Sequence, residues 1–199
     1  MCNEYARELE AGRIIRLMEE MKDLPPFAWQ YGRIPNDQGP AESIKIRDAG
    51  LVVRLRSNTL VGEMLTWGWK TPRGKPVFNF ISEGRDFSES DRVLILATSF
   101  YEYTEPKTAK VKLKDKHRFT LKGHSWFWIA GIVKQDCFTI LTTRPGPDMI
   151  PYHDRQICVL PPAQAIAWLG PDQRNGILET PPAGTFAVKT MRKNGEALA

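Results

Sequence analysis

Five consecutive aliphatic residues, Val93-Leu94-Ile95-Leu96-Ala97, constrain this chain more than any other stretch. With no polar residue pointing to either side, the run reads as a fully buried strand. Further β-type segments surround it: Ser43 to Ile46, the alternating Leu51 to Arg56, Glu63 to Trp69, Phe127 to Val133, Cys137 to Thr142, Ile157 to Leu160 and Thr185 to Val188. Two helices are predicted. In the first, from Glu4 to Asp23, Tyr5, Leu9, Leu17, Met18 and Met21 recur at helical spacing, and Pro25-Pro26 lies beyond its end. The second begins at Pro161-Pro162, carries Ala165, Ile166, Trp168 and Leu169, and stops at Gly170-Pro171. The stretch up to about Pro40 reads as a long loop that Trp29 and Tyr31 anchor to the core.

A chain of 199 residues, 42% of them hydrophobic, can bury one substantial core, so one domain is expected. Its longest apolar runs are too short to cross a bilayer, and no secretory signal is visible. A soluble intracellular protein, cytoplasmic or nucleoid-associated, is therefore expected, with no membrane partner. Cys2, Cys137 and Cys158 are odd in number and lack CxxC spacing, which argues against a disulfide framework and a zinc site. No metal or other cofactor is expected. The net charge of +5 and pI near 9.2 admit a polyanionic partner without demanding one.

Several positions carry chemistry. If Met1 is removed, which the small side chain at position 2 permits, Cys2 presents an α-amine and a thiol on one carbon skeleton. Their reference pKa values, about 7.7–8.0 and about 8.5, leave both with a nucleophilic fraction near neutrality. Such a pair suits an aldehyde: the amine condenses to an imine, and the sulfur adds to the same carbon to close a thiazolidine. Glu102 sits between Tyr101 and Tyr103 at the end of the buried strand, where burial raises a carboxyl toward the range useful for proton transfer, so it is either a paired structural glutamate or a catalytic one. His153, flanked by Asp154 and Arg155 before an apolar strand, reads as a site residue. Asn79, Ser82, Glu83 and Arg85 are polar residues in an apolar segment, either satisfied structural groups or parts of a site. Trp67 and Trp69, beside Lys70 and Arg73, form either a base-stacking surface or part of the core. Lys110, Lys112, Lys114, Lys116 and Arg118 alternate with apolar residues over Lys110 to Lys122, which reads as a lysine-protected edge strand in preference to a DNA-facing stripe.

Taken in order, Met1-Cys2, Trp67-Gly68, Asn79-Phe80-Ile81-Ser82-Glu83, Ser99-Phe100-Tyr101-Glu102-Tyr103 and His153-Asp154-Arg155 resemble the motifs of the SRAP family, the SOS-response-associated peptidases. The resemblance covers nearly the whole chain. It implies an α+β fold in one domain, with a curved, barrel-like antiparallel β-sheet core flanked by helices and a positively charged cleft for single-stranded DNA. It implies a monomer that attaches covalently through Cys2 to the open-chain aldehyde of an abasic site. By that resemblance Asn79 positions the Cys2 amine or the linkage, Glu102 transfers protons, His153 acts on the sugar hydroxyl or the phosphate side, and Arg155 holds a phosphate. The DNA contacts are expected from Trp67, Trp69, Arg85, Thr142, Thr143 and Arg155. The chain departs from the family pattern at Asn3-Glu4, where Gly-Arg is usual, at Ile81, where an arginine is usual and Arg85 is the nearest substitute, and at Ser99 in place of glycine. Two alternatives stand beside this reading: a thiol peptidase or amidase with Cys2 as nucleophile and His153 as base, and a non-catalytic binder of single-stranded nucleic acid.

Overall fold

A computed structural model describes residues 2–19, 24–32, 39–72, 74–108, 110–170 and 177–198. Met1, the last residues of the first predicted helix with Met21 and Asp23, Arg73 and Pro171 lie outside the described residues. In chain order the strands are β1 (Glu4–Arg7), β2 (Phe27–Trp29), β3 (Ala41–Lys45), β4 (Ala49–Arg56), β5 (Thr59–Trp67), β6 (Trp69–Lys70), β7 (Pro76–Val77), β8 (Asn79–Ile81) and β9 (Asp91–Ala97). They continue with β10 (Ser99–Thr104), β11 (Asp115–Leu121), β12 (Phe127–Lys134), β13 (Cys137–Thr143), β14 (Gln156–Ile157), β15 (Val159–Leu160), β16 (Phe186–Lys193) and β17 (Glu196–Ala197). The α-helices are α1 (Ala11–Glu19) and α2 (Ala165–Leu169). The protein is thus mostly β, with less helix than the sequence suggested.

The central strand β9 forms as its composition dictates. Val93 to Ala97 are all fully buried, and alternate residues feed two cores. Val93, Ile95 and Ala97 pack with Phe100, Phe119 and Phe186 of the six-stranded sheet β17-β16-β11-β10-β1-β3. Leu94 and Leu96 face the other way, into a core shared with Ile15 and Met18 of α1 and Trp168 and Leu169 of α2. β9 pairs with β12 and β4, and β13 returns to pair in parallel with β5, Phe138 opposite Trp67. The strands β5-β4-β9-β12-β13 thereby close on themselves, giving the barrel-like core. Tight turns shape its hairpins. Gln135 and Asp136, both at φ 56°, form the two-residue link between β12 and β13.

Three sequence readings change. The first predicted helix begins at Ala11, because Glu4 to Arg7 form a strand between β10 and β3. All four residues of β1 are buried, and pairing on both sides outweighs a helical periodicity of modest strength. The lysine-rich segment is not an edge strand: β11 starts only at Asp115 and lies between β10 and β16. In the Pro40 loop, Phe27 to Trp29 form a short strand along β5, while Tyr31, at φ 64°, is 86% exposed and anchors nothing.

The tryptophan pair takes a core position. Trp67 is fully buried, stacks on Phe138 and meets Tyr5 of β1 edge-on, and its indole N–H donates to the Phe78 carbonyl at 2.8 Å. Trp69 is nearly as buried and leans on Phe80. Gly68 between them, at φ 95°, lets the chain break from β5 into β6. Neither ring offers a face to a nucleic-acid base. Trp67→Ala is expected to lower stability by ~3–5 kcal/mol, the range for emptying a buried aromatic site, measurable by urea unfolding.

Candidate active site

Cys2 lies two residues before the start of β1 and is 1% exposed. Its thiol donates to the Glu4 carbonyl at 3.2 Å, and its own carbonyl accepts the Asn79 side-chain N–H at 2.8 Å. Asn79 starts β8, which runs parallel to β13, so a strand of the barrel fixes the N-terminal residue. Burial pushes the Cys2 thiol far above its ordinary range, and the neighbouring Glu102 charge pushes it further.

Glu102 stands on β10 opposite His117 and is 2% exposed. Burial raises its carboxyl to about 7, against the pull of the positive amino terminus. Glu4, the other carboxylate beside Cys2, behaves oppositely. Burial alone would raise it, but hydrogen bonds from Lys116 at 2.8 Å, from Tyr103 and from Ser43 at 2.8 Å outweigh burial and hold it below the usual range. Lys116 completes this clamp by lying 3.9 Å from the centre of the Tyr101 ring. Two adjacent carboxyls are thus driven apart, one held ionised and one close to half-protonated at neutrality.

His153 follows a turn whose backbone closes onto Met149. Two groups compete for its Nδ1: the Arg155 backbone N–H at 3.0 Å, which needs a bare nitrogen, and the Asp154 carboxylate at 2.7 Å, which needs a protonated one. Burial and the positive amino terminus lower the imidazole pKa, and Asp154 is 88% exposed to screening water, so we assign a neutral ring with its proton on Nε2. Arg155 points away from any ligand role. Its two terminal nitrogens each reach Glu83 at 2.7 Å, and one also donates to the Thr142 carbonyl at 2.9 Å. The fork suited to a phosphate therefore ties the His153 segment to the Asn79–Glu83 segment, and the Arg155 hydrogen bonds hold Glu83 below the usual carboxyl range.

Above these groups opens a cleft of about 620 Å³, lined by Asn3, Glu4, Glu102, Tyr103 and His153 together with Lys45, Ile46, Lys112, Leu113, Lys114 and Arg192. Cys2, which is buried, and Asn79, which is half-buried, are not among the residues that line it. The residues expected to touch DNA are elsewhere: besides the buried tryptophans and the paired Arg155, Thr142 and Thr143 are buried and Arg85 lies over the Phe80 ring at 4.4 Å. The cations that face the cleft are Lys45, Lys112, Lys114 and Arg192. Sequence reasoning did not single out Lys45 or Arg192, and the signal for Lys112 and Lys114 was the alternating stripe, read as edge protection. Another described histidine, His117, is held by Thr104 at 2.8 Å and Thr190 at 3.1 Å and packs against the Tyr152 ring at a tilt of 58°.

A family model described as SOS response associated peptidase (SRAP) matches residues 1–192. The chain belongs to this family. Abasic site processing protein YobE of Bacillus subtilis (strain 168) is 35% identical over 89 residues, 41% of this chain and 40% of that protein. Abasic site processing protein YoqW of the same strain is 36% identical over 89 residues, 41% of this chain and 39% of that protein. The match spans about two-fifths of the length of these relatives. Two solved structures from Bordetella bronchiseptica, one a phage-related protein, share the fold at TM-scores of 0.66 and 0.69, with 18% and 17% identity. They cover 96% of this SRAP chain and 100% and 95% of their own.

The raised Glu102 carboxyl makes stability depend on pH. With a folded pKa of about 7 against an ordinary 4.5, the native protein binds the extra proton between these values, so wild-type stability falls as pH rises through this window. Glu102→Gln does not titrate. Its stability relative to wild type should therefore increase by up to ~3 kcal/mol between pH 4.5 and pH 8, as read by urea unfolding at both pH values.

Proposed function

We propose that this SRAP protein processes abasic sites by forming a thiazolidine between the mature N-terminal Cys2 and the open-chain aldehyde of an abasic nucleotide in single-stranded DNA. The observation that carries the reading is a carboxyl raised to about 7, beside a buried cysteine, at the floor of a cleft rimmed by four cations. The names of the relatives YobE and YoqW, abasic site processing proteins, point the same way.

Removal of Met1 frees the Cys2 α-amine, whose nitrogen attacks the aldehyde carbon. Glu102, partly protonated at neutral pH, gives its proton to the carbinolamine hydroxyl, which leaves as water. The Cys2 sulfur then adds to the carbon of the protonated imine and the thiol proton returns to the Glu102 carboxylate, so the ring closes with the net loss of one water. A thiol kept protonated by burial suits this order, because the amine is the first nucleophile. Asn79 holds the Cys2 carbonyl and with it the amine's direction. His153, with a proton on Nε2, serves the sugar hydroxyl released on ring opening. Lys45, Lys112, Lys114 and Arg192 hold the phosphates in place of Arg155 and Arg85, Lys114 exchanging its solvent-exposed partner Glu105 for a phosphate.

The same geometry disfavours the peptidase alternative. A thiol peptidase needs a thiolate stabilised near neutrality, whereas burial and the Glu102 carboxyl push this thiol the other way.

Incubation with an oligonucleotide carrying one abasic site should give an adduct that survives denaturation, with an intact mass of protein lacking Met1 plus DNA less one water. Cys2→Ala should give none unless a reductant traps an imine. The rate should pass through a maximum near neutrality, falling on the alkaline side as Glu102 ionises around pH 7. Absence of the adduct from protein whose mass confirms Met1 removal overturns the reading.

A further inference from the structure

The segment joining β10 to β11 places an apolar side chain where nothing in the mechanism uses one. Leu113 is 53% exposed, and it lines the cleft that holds Glu102 and His153. Lys112 and Lys114 on either side of it in sequence line the same cleft. The position is fixed before any ligand arrives. The Lys114 carbonyl accepts the Arg192 side-chain N–H at 2.9 Å, the Lys114 ammonium pairs with Glu105 at 2.6 Å, and the next residue, Asp115, accepts the Asn194 backbone N–H at 2.6 Å. An exposed leucine held between two lysines matches a ligand that combines anionic groups with an apolar gap.

A strand with a missing base has that combination. Its phosphates remain, while the bases flanking the gap turn apolar faces to water, and aliphatic side chains are known to enter base steps as wedges. Resting on the function proposed above, we propose that Leu113 is an apolar plug that fills the stacking gap at the abasic nucleotide, with Lys112 and Lys114 on its flanking phosphates. Leu113 thereby sets the preference for abasic over intact strands. Ile46, which lines the same cleft from the β3–β4 turn, is half-buried and packed against the core, so it is wall rather than plug.

The test uses a strand with a tetrahydrofuran abasic analogue, which has no aldehyde and so separates recognition from adduct formation. Binding is measured by fluorescence anisotropy against the same strand with thymine at that position. Wild type should prefer the analogue, and Leu113→Ala should reduce that preference ~5–10-fold, the order expected for losing most of one buried leucine. Leu113→Met should restore most of it. Joint replacement of Lys112 and Lys114 by alanine should weaken both strands alike and lower the salt dependence of binding. With 2-aminopurine beside the analogue, wild type should raise its fluorescence on binding and Leu113→Ala should not. An unchanged preference in Leu113→Ala, equal weakening on both strands, or no preference in wild type overturns the plug. Each of these results is distinct from failure of the proposed function, which is read by the adduct on aldehyde-bearing DNA. Because Leu113 is exposed, the alanine variant is expected to fold, as far-UV circular dichroism checks.

Discussion

The site depends on one insertion: the strand β1 entering the six-stranded sheet between β3 and β10. A terminal strand is usually free to fray. Here its burial is complete, and its first residue, Glu4, is a carboxylate taken out of water. Such a charge is tolerated only when its lone pairs are answered, and Lys116, Tyr103 and Ser43, from three strands or their neighbours, answer them. Glu4 thus couples the placement of Cys2 to the registry of β10, β11 and β3. Glu4 is thus an anion that locks the scaffold.

The positive charge of the cleft does not come from the arginines near His153 and Asn79. The guanidinium of Arg155 bridges two loop segments through Glu83, and Arg85 lies on Phe80, so neither faces the cleft. The cleft's charge comes from Lys45 at the end of β3, from Lys112 and Lys114 before β11, and from Arg192 on β16. These come from three places in the chain that only the six-stranded sheet brings together. The positive charge of the cleft is accordingly a property of the sheet, whereas Cys2, Asn79 and Glu102 are held jointly by both sheets.

Legibility in the sequence follows the same division. The strand Val93 to Ala97 and the hairpin of Phe127 to Val133 with Cys137 to Thr142 were readable because burial on one or both faces imposes a local pattern. Cys2, Glu102 and the ordered motifs were readable because they are chemical singularities in short windows. The β1 strand was not, because Tyr5 and Leu9 keep helical spacing and only pairing with residues about 40 and 95 positions away makes Glu4 to Arg7 extended. The pairing of Arg155 with Glu83, 72 residues apart, was equally hidden: an arginine near a histidine reads as a ligand until its partner is located. For the lysine stripe, alternation was real, but whether an alternating strand lies at an edge is decided by the strand that covers it, here β16 from the end of the chain.

The two carboxyls show why position in the sheet matters more than residue type. Glu4 and Glu102 are buried to almost the same extent, 3% and 2% exposed. Desolvation therefore penalises both ions, yet one is held ionised and the other raised to about 7. The difference lies in the donors each meets: a lysine ammonium, a phenol and a hydroxyl for Glu4, and for Glu102 chiefly the charge at the amino terminus. The donors that a buried carboxyl meets thus decide whether it is held as the ion, as Glu4 is by its lysine, phenol and hydroxyl, or is left near half-protonation at neutrality, as Glu102 is.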